Sequence, residues 1–281
     1  MRNGPMKDKA SNKFESISPR KFTEFNDLIE SLNIKTICNS GLCPNRPECF
    51  ERGHLAFLIL GDICTRNCGF CAVNHGTPEK VDLGEPEKIS KAIKLLGIKH
   101  AVITSVTRDD LDDGGAEQFV RVIDKLKKNN PTSIVEVLIP DFKGNKSSFN
   151  LIINAKPDIV NHNIECCKSC FKKLRPLGDY NCSLNLLKYF GEKNRKEVLT
   201  KSGFMVGVGE SMNDINSTLN DLKKSKVDII TIGQYLPPRK DSFKLSKMYT
   251  KEEFSSIEDY AKRLGFKEVY VGRNVRSSYV H

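Results

Sequence analysis

Three cysteines stand close together in the stretch GDICTRNCGFCAV, residues 61–73, with the spacing C-x3-C-x2-C. They are Cys64, Cys68 and Cys71. Tetrahedral metal sites and cubane iron–sulfur clusters normally take four ligands. Three thiolates on one short loop therefore predict a 4Fe–4S cluster in which one iron lacks a protein ligand. We expect that vacant position to bind a substrate or cofactor.

Structural zinc is the alternative for this loop. Closed zinc sites commonly combine two C-x2-C pairs, or cysteine with histidine. Here the spacing is three and then two, and no second pair follows at the usual interval. His75 lies four residues beyond Cys71 and could complete a Cys3His site. We favour the iron–sulfur interpretation and keep zinc as the alternative.

A second set of three cysteines precedes the first. Cys38, Cys43 and Cys49 occur in CNSGLCPNRPEC with the spacing C-x4-C-x5-C. The loop is short, polar and contains proline, so we do not expect it to be buried in a hydrophobic core. Two such triples so close together predict a second three-thiolate cluster near the first.

From Leu55 onward, apolar strands alternate with amphipathic helices. The predicted strands are 57–62, 100–106, 133–140, 159–164, 203–208, 228–235 and a short last one at 268–272. The predicted helices are 21–34, 86–97, 115–128, 147–155, 168–174, 183–194, 212–224 and 250–264. Six successive strand–helix units predict a parallel α/β sheet, because parallel neighbours need helical crossovers. Since closed barrels have eight units, we predict an incomplete (β/α)6 barrel of the TIM type with N- and C-terminal extensions that carry the auxiliary cluster.

The chain divides most simply into three parts. Residues 1–54 form an N-terminal arm and the auxiliary-cluster loop, 55–264 the partial barrel, and 265–281 a C-terminal extension returning to that cluster. The loops CTRNCGFC, TRDDLDDGGAE and GVGES follow predicted strands, and NHNIE lies at the end of one. Because active sites of such barrels form at the carboxyl ends of the strands, we expect the chemistry on that face.

Composition narrows the function classes. The 281 residues are 38% hydrophobic, carry a formal net charge of +10 and include ten cysteines. The first residues contain no apolar signal segment, so we expect a cytoplasmic protein whose cysteines serve as metal ligands or redox groups. The longest apolar run, 55–60, is too short for a bilayer, and we predict no membrane association.

The net positive charge suits an acidic partner or merely reflects surplus surface lysine. We predict no nucleic-acid partner, since aromatic platforms and a recognition helix are missing.

The C-x3-C-x2-C loop, with Phe70 directly before the last cysteine, resembles the radical S-adenosylmethionine (SAM) superfamily. The resemblance implies that the amino and carboxylate groups of SAM bind the open iron. It implies that an electron from the cluster then cleaves the sulfonium and yields a 5′-deoxyadenosyl radical.

The same resemblance suggests which residues contact SAM. Gly114 and Gly115 of DDGGA would let the backbone approach the methionine amino group, and Asn163 and Glu165 of NHNIE would hydrogen-bond the ribose. Taken alone, DDGGA is equally typical of an ordinary turn and helix start. Two basic residues near strand ends, Arg175 and Lys201, could contact the SAM carboxylate or a partner domain, or be solvent-exposed charges.

Stretches over 38–279 together resemble the lipoyl synthase family. They are CNSGLCPNRPECF, FLILGDICTRNCGFCAV, ITSVTRDDLDDGGAEQF, NHNIE, LTKSGFMVGVGE, TIGQYL and VRSSY. The resemblance implies that Ser278 is the fourth ligand of the auxiliary cluster, although a hard alkoxide is a poor ligand for soft iron–sulfur sites. It implies two 4Fe–4S clusters, with the auxiliary cluster dismantled to supply sulfur.

The implied reaction inserts two sulfur atoms at C6 and C8 of an octanoyl chain attached to a lysine. The implied partners are octanoylated lipoyl carrier domains, of 2-oxoacid dehydrogenase subunits or the glycine cleavage carrier protein, and an electron donor such as ferredoxin or flavodoxin. The alternatives are another radical SAM sulfur-inserting enzyme, similar to biotin synthase, and a non-enzymatic zinc protein.

Some features depart from the family pattern. Ser242 stands near the position of a usual histidine. Four further cysteines lie where we expect no ligands: Cys166, Cys167, Cys170 and Cys182. CCKSC contains a C-x2-C that could bind a metal or form a redox pair, but we favour incidental cysteines on a helix.

Overall fold

The structure is a computed structural model that describes residues 19–43, Asn45, Cys49, 54–193 and 197–278. Most of the predicted N-terminal arm, part of the first cysteine loop and Tyr279 of VRSSY lie outside these described residues. Within the described part of the chain, no helix is both long and apolar enough to cross a bilayer.

A single mostly parallel sheet of eight strands organises the described chain. Its strands, in spatial order, are β1 (Lys35–Thr36), β2 (Leu55–Ile59), β5 (His100–Ser105), β6 (Ile134–Leu138), β7 (Ile159–Asn161), β8 (Leu199–Val206), β9 (Ile229–Gln234) and β10 (Glu268–Gly272). Only β1 runs antiparallel to its neighbour, β2. Two short strands, β3 (Ile63–Cys64) and β4 (Asn74–His75), pair separately beside the sheet.

Helices connect the parallel strands, as their geometry requires. They are α1 (Pro19–Ser31), α2 (Ile37–Ser40), α3 (Glu85–Leu96), α4 (Ala116–Asn129), α5 (Lys146–Ala155), α6 (Lys168–Leu174), α7 (Tyr180–Lys193), α8 (Met212–Lys224) and α9 (Lys251–Arg263), with a 3-10 turn at Phe142–Gly144. The predicted α/β class with strand–helix alternation is confirmed. Several boundaries differ by two or three residues, and the largest error is at β8. It begins at Leu199 rather than 203, because its first half contains Lys201 and Ser202 and lacks a continuous apolar run.

Alternation along the strands separates an apolar face from a polar one. Phe57, Ile103, Val137 and Val160 are register neighbours across four adjacent strands, and all are fully buried. Burying each such side chain stabilises the fold by about 1.5–3 kcal/mol. This apolar row holds the strands at a fixed register, so the loops at their carboxyl ends keep fixed neighbours.

The opposite face holds a buried charged network. Glu136 of β6 is fully buried and accepts from Lys201 Nζ of β8 at 2.9 Å and from Asn161 Nδ2 of β7 at 2.9 Å. His100 Nε2 of β5 lies 3.0 Å from the same carboxylate. Burial alone would raise the pKa of Glu136, but the charge of Lys201 and the hydrogen bond with His100 outweigh it and lower the pKa. The network ties together four strands, because a buried carboxylate without these partners would be costly.

Both chain extensions attach to the sheet. Residues 35–36 pair with β2, and β10 pairs with β9 in parallel register. Asn45 Nδ2 donates to the carbonyl of Asn274 at 2.5 Å, so the two extensions also touch each other. The division into 1–54, 55–264 and 265–281 stays a prediction.

Gly115 offers a test of how tightly the loop before α4 is packed. Its φ is +90°, and a Cβ there would lie 2.3 Å from Leu60 Cδ1. Gly97 also has a positive φ, of +62°, but a Cβ there would meet nothing within 4 Å. Gly115→Ala should therefore lower the free energy of unfolding by about 1–3 kcal/mol more than Gly97→Ala, through overpacking. Urea unfolding of the metal-free protein measures both; equal losses would contradict this packing account.

Candidate functional site

The loop with three cysteines follows β2 and is held against the end of β5. Cys64 lies in β3, and its Sγ accepts hydrogen bonds from the backbone N–H of Arg66 at 3.4 Å and of Thr107 at 3.3 Å. Thr65 N–H donates to the carbonyl of Thr107 at 3.0 Å, which joins the two loops directly. These two hydrogen bonds fix the Cys64 sulfur beside the end of β5.

Cys68 and Cys71 lie close enough to Cys64 for their charges to repel. Burial raises the pKa of Cys68, and burial together with the neighbouring thiolates raises the pKa of Cys71 to about 11, although part of Cys71 is exposed. Among the described residues, no three His, Cys, Asp or Glu side chains are grouped so as to hold a metal ion.

Arg66, between the first two cysteines, anchors the loop. It donates from Nε and Nη2 to Asp109, at 2.7 and 2.9 Å, and from Nη1 and Nη2 to Asp141, both at 2.7 Å. The guanidinium is buried, and its two carboxylates follow β5 and β6. Burial alone would raise the pKa of Asp141, but the hydrogen bonds and charge of Arg66 outweigh it and lower the pKa to about 2. Two bidentate pairs thus fix the cysteine loop over neighbouring strand ends.

Asn163, Glu165 and Arg175, which the resemblance places at SAM, lie together beyond β7. Arg175 Nη1 donates to the Asn163 carbonyl at 3.4 Å, and a side-chain hydrogen bond joins Asn163 to Glu165. Burial raises the pKa of Glu165, while Arg175 and Asn163 act in the opposite direction. Arg175 and Lys201 are both buried, so the alternative that they are solvent-exposed charges is wrong. Lys201 instead pairs with Glu136.

Several buried polar atoms at the carboxyl end of the sheet have no hydrogen-bond partner. Asn161 Oδ1 and Asn163 Oδ1 are inaccessible and accept no hydrogen bond, and Ser105 Oγ at the end of β5 likewise has no partner. An unsatisfied buried acceptor costs about 1–3 kcal/mol, so such atoms suit a ligand with hydroxyl or amino donors. SAM carries both kinds of donor, and the residues present therefore fit it.

Gly114 and Gly115 have packing requirements of their own. Both have positive φ, and a Cβ at Gly114 would lie 2.8 Å from a ring atom of Phe142. Gly115 lies against Leu60, as described above. These contacts require glycine whether or not SAM binds, and contact with the methionine amino group stays a prediction.

The second cysteine triple lines a small cavity that is partly open to solvent. The lining residues are Cys38, Cys43, Asn45, Cys49, His54, Leu55, Ala56, Arg276 and Ser278. Cys38 and Cys49 are buried, although we expected no burial of this loop. The candidate ligands in its wall are three thiols and one hydroxyl. This donor set fits an iron–sulfur cluster with three thiolates and a serine.

The C-terminal segment reaches this cavity by crossing the end of β9. A Cβ at Gly233 would lie 2.1 Å from the carbonyl oxygen of Val275, so only glycine admits the crossing chain. Burial lowers the pKa of Arg276 in the cavity wall, and the thiol of Cys43 acts in the opposite direction. The segment thereby places Ser278 in the same wall as cysteines more than two hundred residues earlier.

The extra cysteines are placed differently. Cys166, Cys167 and Cys170 belong to the hydrophobic core, at the start of α6, and burial raises the pKa of each. Cys182 is partly exposed on α7. Core packing accounts for the first three, in line with our preferred interpretation of incidental cysteines.

The sequence reasoning missed Arg66, Asp109 and Asp141, which hold the loop but look like ordinary surface charges. A signal existed for Arg66, since it lies within the cysteine motif. The departure at Ser242 falls in a turn, where its Oγ accepts from the N–H of Arg239. The next residue, Phe243, donates from its N–H to the carbonyl of Gly69 at 2.8 Å, which closes the chain over the cysteine loop.

Comparisons with known proteins agree on one family. The model of the radical SAM superfamily matches residues 58–222. The chain is 44% identical over 260 residues to a lipoyl synthase of Flavobacterium johnsoniae, covering 92% of this chain and 90% of that one. It is 45% identical over 252 residues to a lipoyl synthase of Caldanaerobacter subterraneus, covering 90% and 88%. A mitochondrial lipoyl synthase of Nematostella vectensis is 44% identical, covering 92% and 89%.

Solved structures share the fold at low identity. Methylornithine synthase superposes with a TM-score of 0.58 at 15% identity, covering 87% of this chain and 74% of that one. A maturase of the [FeFe]-hydrogenase gives 0.60 at 13% identity, covering 76% and 55%. These similarities show the radical SAM fold, and the relatives above show the family. The chain belongs to the lipoyl synthase family of the radical SAM superfamily.

Proposed function

We propose that this protein inserts two sulfur atoms at C6 and C8 of an octanoyl chain bound to a lysine of a lipoyl carrier domain. The observation that carries the proposal is the cavity in which Cys38, Cys43 and Cys49 meet Ser278. A radical SAM enzyme that only generated a radical would need no second thiol-lined site. Membership of the lipoyl synthase family gives that second site a purpose as the source of sulfur.

The proposed ligands fall into two sets. Cys64, Cys68 and Cys71 would hold the cluster that binds SAM, while the cavity residues would hold the auxiliary cluster. When bound, these groups supply a radical able to break unactivated C–H bonds and the sulfur that replaces the hydrogens.

The chain's own residues bind and orient these groups. Arg66 fixes the cysteine loop. Asn163 Oδ1, which has no partner, would accept from a ribose hydroxyl. Arg175 lies 4.0 Å from Asp141 and beside Asn163, where its charge suits a carboxylate ligand. Gly114 and Gly115 would give the SAM amino group room beside the backbone. Acid–base chemistry cannot remove such hydrogens, so the radical would do this while the chain's residues hold the reactants in position.

The partners follow from the substrate. An acidic carrier domain, of a 2-oxoacid dehydrogenase or of the glycine cleavage system, suits a chain with a net charge of +10. A low-potential donor such as ferredoxin or flavodoxin would supply the electron. We propose a cytoplasmic location, although one relative is named as mitochondrial.

The direct test is turnover by the anaerobically reconstituted protein with an octanoylated carrier domain, SAM and dithionite. We expect lipoyl product whose sulfur carries the isotope label introduced into the protein's clusters. Free octanoate and dethiobiotin should give no product.

Cys49→Ala should abolish sulfur insertion, because it removes a proposed auxiliary ligand. Cys182→Ala is the matched control and should retain activity. Thiolation of dethiobiotin instead of the octanoyl chain would favour the alternative enzyme class.

The anchor between Arg66 and Asp141 predicts a pH dependence. Because the pKa of Asp141 is lowered to about 2, its ion pair stabilises the fold above the ordinary carboxylate pKa. That contribution, about 2 kcal/mol, should fade as the pH falls from about 4 towards 2. The difference in free energy of unfolding between wild type and Asp141→Asn, measured on metal-free protein, should shrink over this range. Asp110→Asn, which removes a more exposed carboxylate paired with Arg108, should show a smaller change. A constant difference for Asp141→Asn would contradict the account.

A further inference from the structure

The last two described residues have different surroundings. Ser278 lines the cavity with the cysteines, whereas Ser277 is hydrogen-bonded by residues at the end of the sheet. Asn163 Nδ2 donates to Ser277 Oγ at 2.9 Å, and Asn161 Nδ2 donates to the Ser277 carbonyl at 3.4 Å. Ser277 thus holds the tail at both its side chain and its backbone, one residue before the proposed ligand.

We propose that Ser277 is a positioning residue for the auxiliary cluster: its hydrogen bonds to Asn161 and Asn163 fix the tail so that Ser278 faces Cys38, Cys43 and Cys49. The proposal rests on the proposed function, since it assumes an auxiliary cluster at this cavity. It gives the two serines distinct roles, with Ser278 as the ligand and Ser277 as the residue that places it.

The anchors of Ser277 are themselves rigid. Asn161 Nδ2 also donates to Glu136 at 2.9 Å, and Glu136 is fixed by Lys201 at 2.9 Å and His100 at 3.0 Å. The tail therefore rests on a buried network that spans four strands. A site is held accurately when its supporting side chains have locked rotamers.

A weak ligand needs this kind of support. Serine oxygen is a hard donor and binds soft iron sites less strongly than thiolate. Ordering a free chain end costs about 1–2 kcal/mol per residue in backbone entropy alone. Hydrogen bonds that order the tail beforehand remove this cost from the iron–oxygen bond.

The side-chain amide of Asn163 links the proposed SAM site to the proposed auxiliary site. Asn163 donates to Ser277 through Nδ2, while its Oδ1 has no partner and lies where we place the SAM ribose. One side chain therefore touches the SAM site and the tail of the auxiliary site, so the position of Ser278 is set relative to both.

The test uses the Cys64/Cys68/Cys71→Ala triple variant, in which only the auxiliary cluster is expected to form. Into it we introduce Ser277→Ala, Ser277→Thr, Ser278→Ala and Asn163→Ala. Iron per chain and the rate of iron release to a chelator are measured after anaerobic reconstitution. Backbone hydrogen exchange at residues 274–278 is measured separately on the metal-free wild-type chain and on its Ser277→Ala variant.

The expected results separate the two serines. Ser277→Ala should retain the iron content but release iron about fivefold faster, as expected for the loss of one hydrogen bond. Ser277→Thr keeps the hydroxyl and should restore the slow rate, and Asn163→Ala should match Ser277→Ala. Ser278→Ala should bind less iron. In the metal-free chain, Ser277→Ala should raise exchange in the tail by a similar factor.

Several outcomes would overturn the proposal. Wild-type iron release and exchange in Ser277→Ala would show that the hydrogen bonds position nothing. Iron loss in Ser277→Ala with full iron in Ser278→Ala would make Ser277 the ligand. A triple variant that binds no iron would refute the proposed auxiliary cluster instead. The exchange measurement would then still decide whether Ser277 anchors the tail.

Discussion

The site depends most on the ion pairs that the buried guanidinium of Arg66 forms. Arg66 lies within the cysteine motif, yet its partners, Asp109 and Asp141, follow two other strands. A buried cation needs its full set of acceptors, and removing one partner of such a pair typically costs about 3–5 kcal/mol. The cysteine loop can therefore adopt only the position in which both carboxylates reach Arg66. The sheet register, set by its apolar rows, fixes where those carboxylates stand.

A second constraint brings the two ends of the chain together. The tail crosses β9 only because Gly233 has no side chain, and Asn45 of the N-terminal loop hydrogen-bonds Asn274 of the tail. Three thiols and a serine then share one cavity wall. The buried polar network of the sheet supports this crossing, because its Asn161 donates a hydrogen bond to the tail. The two proposed cluster sites thus depend on one framework.

Much of this arrangement could be predicted from the sequence. The spacing of Cys64, Cys68 and Cys71 predicted an open-iron cluster, and alternating strands and helices predicted the parallel sheet. The start of β8 was missed because Lys201 interrupts its apolar pattern, and its partner Glu136 lies on a strand two positions away in the sheet. Arg66 and its carboxylates were also missed, since pairing across loops leaves no local periodicity. Ser278 could be assigned only through family resemblance, because a serine near a chain end carries no chemical signal of its own.

The central claim is that one chain holds two 4Fe–4S clusters on separate cysteine sets. Iron and acid-labile sulfide per chain, measured after anaerobic reconstitution, test it most directly. The account predicts about eight of each in the wild type, falling to about four when Cys64, Cys68 and Cys71 are replaced by alanine. About four in the wild type would leave a radical SAM enzyme with a single cluster, and zinc without sulfide would contradict the iron–sulfur account altogether.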